Sequence, residues 1–574
     1  MPRACVPTDA LVVGGGPVGL ACSALIARSG ARSLLVDRKR SVSYYPKARA
    51  ISARSMEIFR QINIEAAIHR AMPPESTRNY ATASTLTSPD LRLAPFGLGS
   101  LEPTPLSPCT GSFCTQDRLE PILYDHLRRQ AMATTLFDAE LVSLEERETY
   151  VLATVRSGQE TLSVQARVII GADGAQGACA AMAGIESAEL LRREARATII
   201  FRAELSRLIE PHRCVYLLLG EPGTPHYGTL SGVPLARNPD EWSVFVTCDP
   251  VLGEDLSNYP ESYWVDVVRR ITGLPDLGVR ISGVALWWRS ASVVDAMARG
   301  RIALAGDSAH LMPPAGGLGM NTGLQDAHNL AWRVASIARG ASLGLLREYD
   351  RERRPEVCRV VEAAARNDGL GSQVADLWAR PQLGLTLGAA YLQGSFISDG
   401  EPPPTRDYPY HDYAPSGRPG GRAPHVWLDE GRTISVLDLF GGKFVVLTQS
   451  AASPFLLTLR RMKQCDMPVE GFALEERFGG ETLAEWRRIY GLQRAGAVLV
   501  RPDGVIAWRS RDGHGDLEAA LHDVLNPDPG ASIPARRQGL LDDAFGGDDV
   551  QEVRGAVKRV RLARRPAANG CEPS

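Results

Sequence analysis

The chain has 574 residues, of which 44% are hydrophobic and 23% charged, a composition typical of globular proteins rather than disordered ones. At roughly 150 residues per domain, this length predicts three or four units. Lysine and arginine number 64 and aspartate and glutamate 66, so the formal net charge is −2. This balance gives no electrostatic reason to expect a nucleic acid or an anionic membrane as the main partner.

The ten cysteines are scattered along the chain, without a CxxC pair or a Cys/His cluster at zinc spacing. We therefore expect free thiols in a reducing cytoplasm and no metal site. The N-terminus has no apolar leader, and no apolar run reaches the roughly 18 residues that span a bilayer. The sequence predicts a cytoplasmic protein that is neither secreted nor inserted into a membrane.

The N-terminal segment has the pattern of a βαβ unit that binds a dinucleotide. Apolar runs predict strands at 10–13 and 33–36, and the spacing between them predicts a helix over Pro17–Arg28. The connecting GGGPVG fits G-x-G-x-x-G, and an acid follows the second strand. Such glycines allow a tight turn and a close approach to pyrophosphate at a helix N-terminus, while the acid accepts hydrogen bonds from a ribose diol. The residues concerned are Gly14, Gly16, Pro17, Val18, Gly19 and Asp37.

Two later strands end in the same way. The predicted strand at 167–170 leads into GADG at 171–174, and that at 301–305 leads into Gly306-Asp307. Ligands of open α/β sheets bind at the carboxyl ends of strands, so these turns are expected to share one site. A glycine-rich loop at 316–319 then opens into a predicted helix, which makes a cradle for an anion or a ring edge.

Together these motifs resemble the class A flavoprotein aromatic hydroxylases, of the para-hydroxybenzoate and phenol hydroxylase type. The resemblance covers residues ~9–360 in the family's order, and the segment that starts at Gly306 is the most specific. It implies an α/β fold: a Rossmann-type FAD-binding domain with an inserted antiparallel β-sheet substrate domain and a C-terminal thioredoxin-like domain. The matching segments are GGGPVG with Asp37-Arg38, PKARA at 46–50, SMEIF at 55–59, GADG at 171–174, GDSAHLMPPAGGLGMNTGLQDAHNLAW at 306–332, Tyr349 and ERRP at 352–355.

The resemblance also implies roles for single residues. The Rossmann glycines with Pro17 and Val18 would hold the FAD pyrophosphate, and Asp37 with Arg38 the adenosine ribose. Gln116 would lie near the flavin ribityl chain, although it is equally the polar residue that leads an amphipathic helix. No catalytic side chain is implied, because the chemistry takes place on the flavin. The remaining assignments are Arg49 to the FAD phosphates, Asp173 and Gly174 to FAD and the nicotinamide, Asp307 to ribityl or pyrophosphate oxygens, Gly319, Met320 and Asn321 to the pyrimidine edge of the flavin, and Pro314 beside the substrate ring.

The chain departs from the family after GADG. Gly177 replaces a common serine, and Ala180 stands where an arginine usually follows. Because the family links this motif to the nicotinamide cofactor, we expect weakened or rerouted NAD(P)H binding.

Composition and the resemblance together divide the chain into several segments. Predicted strands include 434–440, 444–448, 497–501 and 505–508 near the C-terminus. The C-terminal domain lacks a redox pair, so a structural or homodimer-forming role is expected. The segments are an FAD-binding domain at 1–80, 105–195 and 290–370, a substrate domain at 81–104 and 196–289, a connector at 371–425, a thioredoxin-like domain at 426–545 and a mobile tail at 546–574.

The implied activity is that of a flavin monooxygenase. NAD(P)H, as NADPH or NADH, would reduce FAD, O₂ would add to form a flavin C4a-hydroperoxide, and one oxygen would pass to a phenolic or polyketide-like ring. A Baeyer–Villiger oxygenase would use the same peroxide beside a ketone, and the sequence does not separate the two. A non-catalytic flavin-fold binder of a biosynthetic intermediate is a third interpretation. A halogenase motif and a disulfide reductase cysteine pair are both absent from the sequence.

Overall fold

The computed structural model describes residues 5–43, 45–72, 79–95, 103–212, 214–220, 228–236, 238–248, 255, 258–369, 382–462, 468–476 and 478–527. The predicted tail at 546–574 lies outside these residues, as do residues 371–381 of the predicted connector. The strands are, in chain order, β1 (Cys5–Val13), β2 (Ser33–Asp37), β3 (Ala50–Ile51), β4 (Asn79–Ala83), β5 (Arg92–Pro95), β6 (Ser112–Phe113), β7 (Ala133–Phe137), β8 (Ala139–Glu146), β9 (Val151–Ser157), β10 (Glu160–Gly171), β11 (Ser187–Arg202), β12 (Cys214–Leu219), β13 (Gly228–Ser231), β14 (Glu241–Thr247), β15 (Arg280–Val294), β16 (Ala298–Arg299), β17 (Ile302–Leu304), β18 (His310–Leu311), β19 (Phe444–Thr448), β20 (Val469–Ala473), β21 (Ala497–Val500) and β22 (Ile506–Ser510).

The helices connect these strands or cover the sheets that they form. In the part of the chain that the structure describes, no helix is both long and apolar enough to cross a bilayer. The α-helices are α1 (Pro17–Arg28), α2 (Ala53–Gln61), α3 (Glu65–Ala71), α4 (Gln116–Leu127), α5 (Cys179–Met182), α6 (Ser206–Ile209), α7 (Glu261–Thr272), α8 (Leu318–Ala338), α9 (Gly344–Gly369), α10 (Leu383–Thr386), α11 (Pro454–Met462), α12 (Gly480–Tyr490) and α13 (Leu517–Leu525).

The first sheet contains the predicted βαβ unit. Its strands lie in the order β16-β17-β10-β1-β2-β7, and from β17 to β7 the neighbours pair in parallel. Ala10, Leu11 and Val12 of β1 are fully buried, as expected for a parallel strand covered on both faces. Because β1, β10 and β17 are neighbours and run the same way, the turns after them meet at one edge, which confirms the predicted clustering.

The second sheet is a mostly antiparallel layer, in the order β18-β15-β11-β14-β13-β12-β4-β5. One face packs on α7, where Trp242 and Trp264 are buried in a core of their own. The sheet extends past the predicted boundaries at 196 and 289, because β11 and β15 pair along nearly their whole length, from Ser187 with Val294 to Arg202 with Arg280. β18 also joins it from within the segment predicted to belong to the FAD-binding domain.

The C-terminal part forms a four-stranded sheet, β20-β19-β21-β22, with α11, α12 and α13. The turn between β21 and β22 is a hairpin, with Gly504 at φ 74°. The predicted strand at 434–440 is wrong, because Val436–Leu439 is a 3₁₀ turn. Ser435 and Asp438 close this turn as a capping box, an arrangement that ties up the backbone groups a strand would need.

Buried charges join this C-terminal sheet to the helices of the first sheet. The Arg501 guanidinium, fully buried, donates to both oxygens of Glu352 on α9 at 2.6 and 2.9 Å. It also donates to Asp503, whose Oδ2 accepts from the Trp332 indole on α8 at 3.2 Å. Arg333 on α8 completes the group with an ion pair to Glu352 at 2.8 Å. Buried charges persist only when paired, so this group fixes how the two parts dock.

We expect Asp503→Asn to lower the free energy of unfolding by about 3–5 kcal/mol at neutral pH, because it leaves a buried guanidinium short of its partner. Burial alone would raise the pKa of Asp503, but Arg501 outweighs it and lowers the pKa from 3.8 to about 2. A carboxyl with a lowered pKa stabilises the fold above its ordinary pKa and loses that effect as the pH falls. Denaturant unfolding should therefore show the gap between wild type and variant closing from pH 4 to pH 2. A gap that does not depend on pH would contradict this assignment.

Candidate functional site

The first glycine turn is shaped by close backbone contacts and leaves one open position. A Cβ on Gly14 would lie 2.1 Å from the Ala172 carbonyl oxygen, and a Cβ on Gly19 would lie 1.9 Å from that of Gly14. A Cβ on Gly16 would meet no atom within 4 Å. Gly14 and Gly19 are therefore required for packing, whereas Gly16 borders open space at the N-terminus of α1.

The residues after Gly16 close this turn against the third strand end. Pro17 is the first residue of α1, where its missing N–H costs nothing. The Val18 side chain fills the space beside Gly306 and Gly323, since a Cβ on Gly323 would lie 2.6 Å from it. The amides of the first helical turn have no partner within the helix and point toward the open space.

Asp307 and Lys47 lie at this edge, close enough for their charges to interact, and the open region that they and Gly16 border is called the cleft below. Both side chains are accessible to solvent, yet protein surrounds them closely. Desolvation raises the pKa of Asp307 and lowers that of Lys47, and each charge partly offsets the shift of the other. Asp37 and Glu120 also act on the Lys47 ammonium. The Asp307 and Lys47 side chains are thus exposed to solvent but partly desolvated, which is typical of a groove that binds a polar ligand.

Lys47 is the residue that sequence reasoning missed. It lies in the PKARA segment, where the resemblance pointed to Arg49 instead. The Lys47 amide donates to the Tyr45 carbonyl oxygen at 2.9 Å, and this tight turn interrupts the extended chain before β3. In the sequence, the only signal for Lys47 is its positive charge in a family whose other motifs supply glycine turns and acids at the same site.

Arg49 lies apart from these cleft residues. Its guanidinium is buried and donates to the hydroxyls of Ser231 and Ser243 on the second sheet, at 2.5 and 2.7 Å. The rings of Tyr216 and Phe245 flank it at 5.0 and 5.1 Å. The role predicted for Arg49 at the FAD phosphates stays a prediction, because the structure brings its side chain to the second sheet.

Asp37 lies at the glycine turn as predicted. Its Oδ2 accepts from the Gly15 amide at 2.5 Å and its Oδ1 from the Lys39 amide at 2.7 Å, so the carboxylate fixes the turn and the chain after β2. Arg38, next to it, is exposed. The ribose contact predicted for both residues stays a prediction.

Gln116 begins α4 and holds the segment before β3. Its Oε1 accepts from the Ala48 amide at 3.3 Å, and its Nε2 donates to Glu120 at 2.5 Å. Glu120 in turn accepts from the Ser43 amide at 2.5 Å, and burial raises the pKa of this carboxyl. These contacts support both interpretations of Gln116, as the first residue of a helix and as a group beside the cleft.

The GADG turn explains the departure from the family at Gly177. The Asp173 carboxylate accepts from the Cys179 amide at 2.9 Å and the Ser308 hydroxyl at 3.0 Å. Ser308 also accepts from the Gly174 amide at 2.9 Å. A Cβ on Gly177 would lie 2.1 Å from the Asp173 carboxyl carbon, so a serine does not fit while Asp173 folds back in this way.

The second glycine loop ends in the N-terminus of α8, with Gly317 at φ 62°. The Asn321 side chain, buried, accepts from the Ser52 amide at 2.9 Å and the Ser55 hydroxyl at 2.7 Å, and donates to the carbonyl oxygens of Ala50 and Gly317 at 3.0 and 2.7 Å. The amides of 318–320, which include Gly319 and Met320, are free of helical partners. Pro314 is exposed and opens the loop through a hydrogen bond from Gly317.

The face of the second sheet opposite α7 borders the same region. Phe245 and Trp287 are half-buried there and meet edge to face at 6.4 Å. The Trp287 indole donates to the Thr198 hydroxyl at 3.1 Å. Arg49 contacts this face, and its neighbour Ala50 is bonded to Asn321, so a single chain segment links the aromatic face to the second glycine loop. Trp242 and Trp288 pack on the α7 side instead.

These residues fit FAD. The open position at Gly16 and the amides of α1 suit a pyrophosphate, and Lys47 supplies a positive charge beside it. The amides that begin α8 suit the pyrimidine edge of a flavin, which gains negative charge on reduction. In the part of the chain that the structure describes, no group of His, Cys, Asp and Glu is arranged to hold a metal ion.

Comparisons with known proteins support this geometry. Residues 7–364 match the family model of the FAD binding domain, and residues 416–527 match that of the aromatic-ring hydroxylase C-terminal domain. The chain is 33% identical over 545 residues to tetracenomycin B2 monooxygenase-dioxygenase from Streptomyces olivaceus, covering 90% of this chain and 97% of that relative. It is 31% identical to 4-methyl-5-nitrocatechol 5-monooxygenase from Burkholderia sp, covering 91% of this chain and 97% of that relative.

A solved structure extends the comparison to bound ligands. The crystal structure of a ternary complex of aklavinone-11 hydroxylase with FAD and aklavinone is 27% identical to this chain, with a TM-score of 0.78. The match covers 90% of this chain and 98% of that chain. The likeness therefore includes the first sheet, the second sheet and the C-terminal part.

Two glycine substitutions should separate packing from cofactor binding. Gly19→Ala is expected to destabilise the apoprotein by about 1–3 kcal/mol, because its methyl group would overlap the Gly14 carbonyl. Gly16→Ala should leave the unfolding midpoint of the apoprotein unchanged but weaken FAD binding, because its methyl group would enter the open space. Thermal unfolding and FAD titration measured by fluorescence would test both. Unchanged FAD affinity in Gly16→Ala would contradict the position assigned to the pyrophosphate.

Proposed function

This chain belongs to the FAD-binding aromatic-ring hydroxylases, and from that premise we propose that it hydroxylates a phenolic ring of a polyketide-like substrate. The observation that carries the proposal is the link, through Arg49 and Ala50, between the start of α8 and the half-buried aromatic face of Phe245 and Trp287. In the overall reaction one atom of O₂ enters the ring and the other becomes water, with two electrons from NAD(P)H.

The chain's own residues would bind FAD and orient the substrate. When bound there, FAD would supply the acceptor for a hydride from NAD(P)H and the transfer of one oxygen atom from O₂. Gly16, the α1 amides and Lys47 would hold the pyrophosphate, and Asp307 the polar chain between phosphate and flavin. The amides of Gly319 and Met320, which lie beside Asn321 at the start of α8, would stabilise negative charge at the pyrimidine edge.

The aromatic face supports a flat substrate of appreciable size. Phe245 and Trp287 lie on neighbouring parts of the sheet, and Thr198 fixes the indole through its hydroxyl. Rings prefer offset-stacked or edge-to-face contacts with one another, and such a face excludes water from the reacting carbon. Relatives of this chain include proteins named for fused-ring polyketides and for single-ring catechols, and the breadth of this face favours the fused-ring class.

Arg49 supports a substrate that binds as a phenolate. Burial lowers the pKa of its guanidinium, which donates to the neutral hydroxyls of Ser231 and Ser243. Its Nε is buried and has no partner among the described residues. A buried cation that is paired with neutral groups would favour an anionic oxygen nearby, and a phenolate is activated at its ortho and para carbons.

The reaction is tested by substrate-dependent NAD(P)H oxidation under ¹⁸O₂. With a suitable phenolic polyketide, we expect one ¹⁸O atom in a hydroxylated product and none from H₂¹⁸O. An oxygen inserted beside a ketone carbonyl would instead indicate Baeyer–Villiger chemistry. NAD(P)H consumption that yields only hydrogen peroxide with every phenol tested would count against hydroxylation.

The altered GADG turn supports weak nicotinamide binding. Asp173 is held by Cys179 and Ser308 rather than projecting into the cleft, and Ala180 lacks the charge of the family's arginine. Stopped-flow reduction should saturate only at high concentrations of both NADPH and NADH. Tight saturation by either one would overturn this part of the proposal. A cytoplasmic location and a homodimer stay predictions.

Arg49→Met should separate a substrate role from a cofactor role. If Arg49 binds the phenolate, the variant keeps the FAD dissociation constant of wild type but raises KM by roughly tenfold or more, since a charge-assisted hydrogen bond contributes about 1.5–3 kcal/mol. The absorbance of a bound phenol should also shift from phenolate to neutral form at the same pH. Weakened FAD binding with unchanged KM would support the phosphate role instead.

A further inference from the structure

We propose that the C-terminal domain is part of the flavin site, because it holds helix α2 against the second glycine loop, with Glu57 as the positioning residue. This inference rests on the proposed position of the flavin at the α8 amides. It assigns to the C-terminal domain a role in cofactor geometry, in addition to any role in stability.

Helix α2 is bonded directly to the loop at the flavin edge. Ser52, its N-cap, donates its amide to Asn321 at 2.9 Å, and the hydroxyl of Ser55 donates to the same oxygen at 2.7 Å. Asn321 also holds Gly317 and Ala50. A shift of α2 along its axis would therefore break hydrogen bonds to the side chain that sets the start of α8.

Glu57, one turn further along α2, is the residue through which the C-terminal domain binds this helix. Its carboxylate is buried and accepts from Arg422 through Nε at 2.9 Å and through Nη2. It also accepts from Arg54 at 2.9 Å and from the Ser107 hydroxyl at 2.6 Å. Burial alone would raise the pKa of Glu57, but Arg422 and Arg54 outweigh it and lower the pKa, so the carboxylate stays charged.

Arg422 is itself fixed to the C-terminal sheet. It forms a β-bridge with Val505 beside the β21–β22 hairpin. A forked guanidinium that donates two hydrogen bonds to one carboxylate fixes both distance and orientation, which a lysine does not. The position of α2 is therefore set from residues more than 360 positions away in sequence.

The same hairpin also contacts α2 and α8 separately. Arg54 donates to the Asp503 carbonyl oxygen at 3.0 Å, and Trp332 donates to the Asp503 carboxylate at 3.2 Å. Asp503 thus lies between α2, which is bonded to Asn321, and α8, which contains Asn321. Both helices are therefore bonded to the same β21–β22 hairpin. A common contact of this kind can fix the position of the second glycine loop relative to α2.

A surface pair on the same helix provides a matched control. Arg60 on α2 donates to Asp438 of the C-terminal domain at 2.6 Å, but both side chains are partly exposed. Exposed ion pairs contribute little to stability. Arg60→Met therefore removes a bond across the same interface without leaving a buried charge unpaired or disturbing the end of α2 near Asn321.

The experiment measures the FAD dissociation constant of the apoprotein and the visible spectrum of the bound flavin. Glu57→Gln is expected to weaken FAD binding by roughly tenfold, equivalent to about 1.4 kcal/mol, and to shift the flavin absorbance bands. Arg422→Lys, which keeps the charge but loses the fork, should fall between wild type and Glu57→Gln and provides a second variant if the first does not fold. Arg60→Met should match wild type in both measurements.

Titrations are made at a temperature where circular dichroism shows each variant folded. FAD affinity and spectra equal to wild type in both Glu57→Gln and Arg422→Lys would overturn the inference. Equal weakening in Arg60→Met would overturn it as well, because any loss across the interface would then have the same effect. Failure of the wild-type apoprotein to bind FAD would instead remove the proposed function, so the two failures are distinguishable.

Discussion

One buried amide joins the chain segments that meet at the flavin edge. The Asn321 side chain accepts two hydrogen bonds from the start of α2 and donates two, to β3 and to the glycine loop. A buried amide with every group paired is stable, and the loss of any partner costs the full desolvation of the group left behind. The elements bonded to Asn321 are therefore held in one relative arrangement. This includes β3, which follows Lys47 and Arg49 and so helps to set the different surroundings of these two side chains.

The sequence predicted those parts of the fold that depend on local pattern. Helix α1 has the predicted bounds of Pro17 and Arg28, and the three glycine turns meet at one edge because parallel neighbouring strands place them there. The same motifs predicted the family correctly. Local pattern was misleading at 434–440, where alternating apolar residues suggested a strand but the Ser435 capping box selects a 3₁₀ turn.

The rest depends on contacts between distant residues, which a single sequence does not reveal. Arg49 and Lys47 are two positions apart and carry the same charge, and only the turn at Tyr45 and the hydroxyls of Ser231 and Ser243 decide which of them faces the cleft. In the same way, Gly177 looked like a lost serine. The structure shows that the Asp173 carboxylate occupies the space which that serine would need.

The buried pairing of Arg501 with Glu352 bears on how the protein is made. A chain emerging from the ribosome completes α8 and α9 long before residues 501–503, and until then Glu352 is paired with Arg333 but not with Arg501. A buried ion pair is stable only when its remaining hydrogen-bond groups are also paired, so the contact between α8 and α9 reaches its final arrangement only after residue 503 has been made. The order of synthesis thus makes the docking of these two helices on the C-terminal sheet a late step of folding.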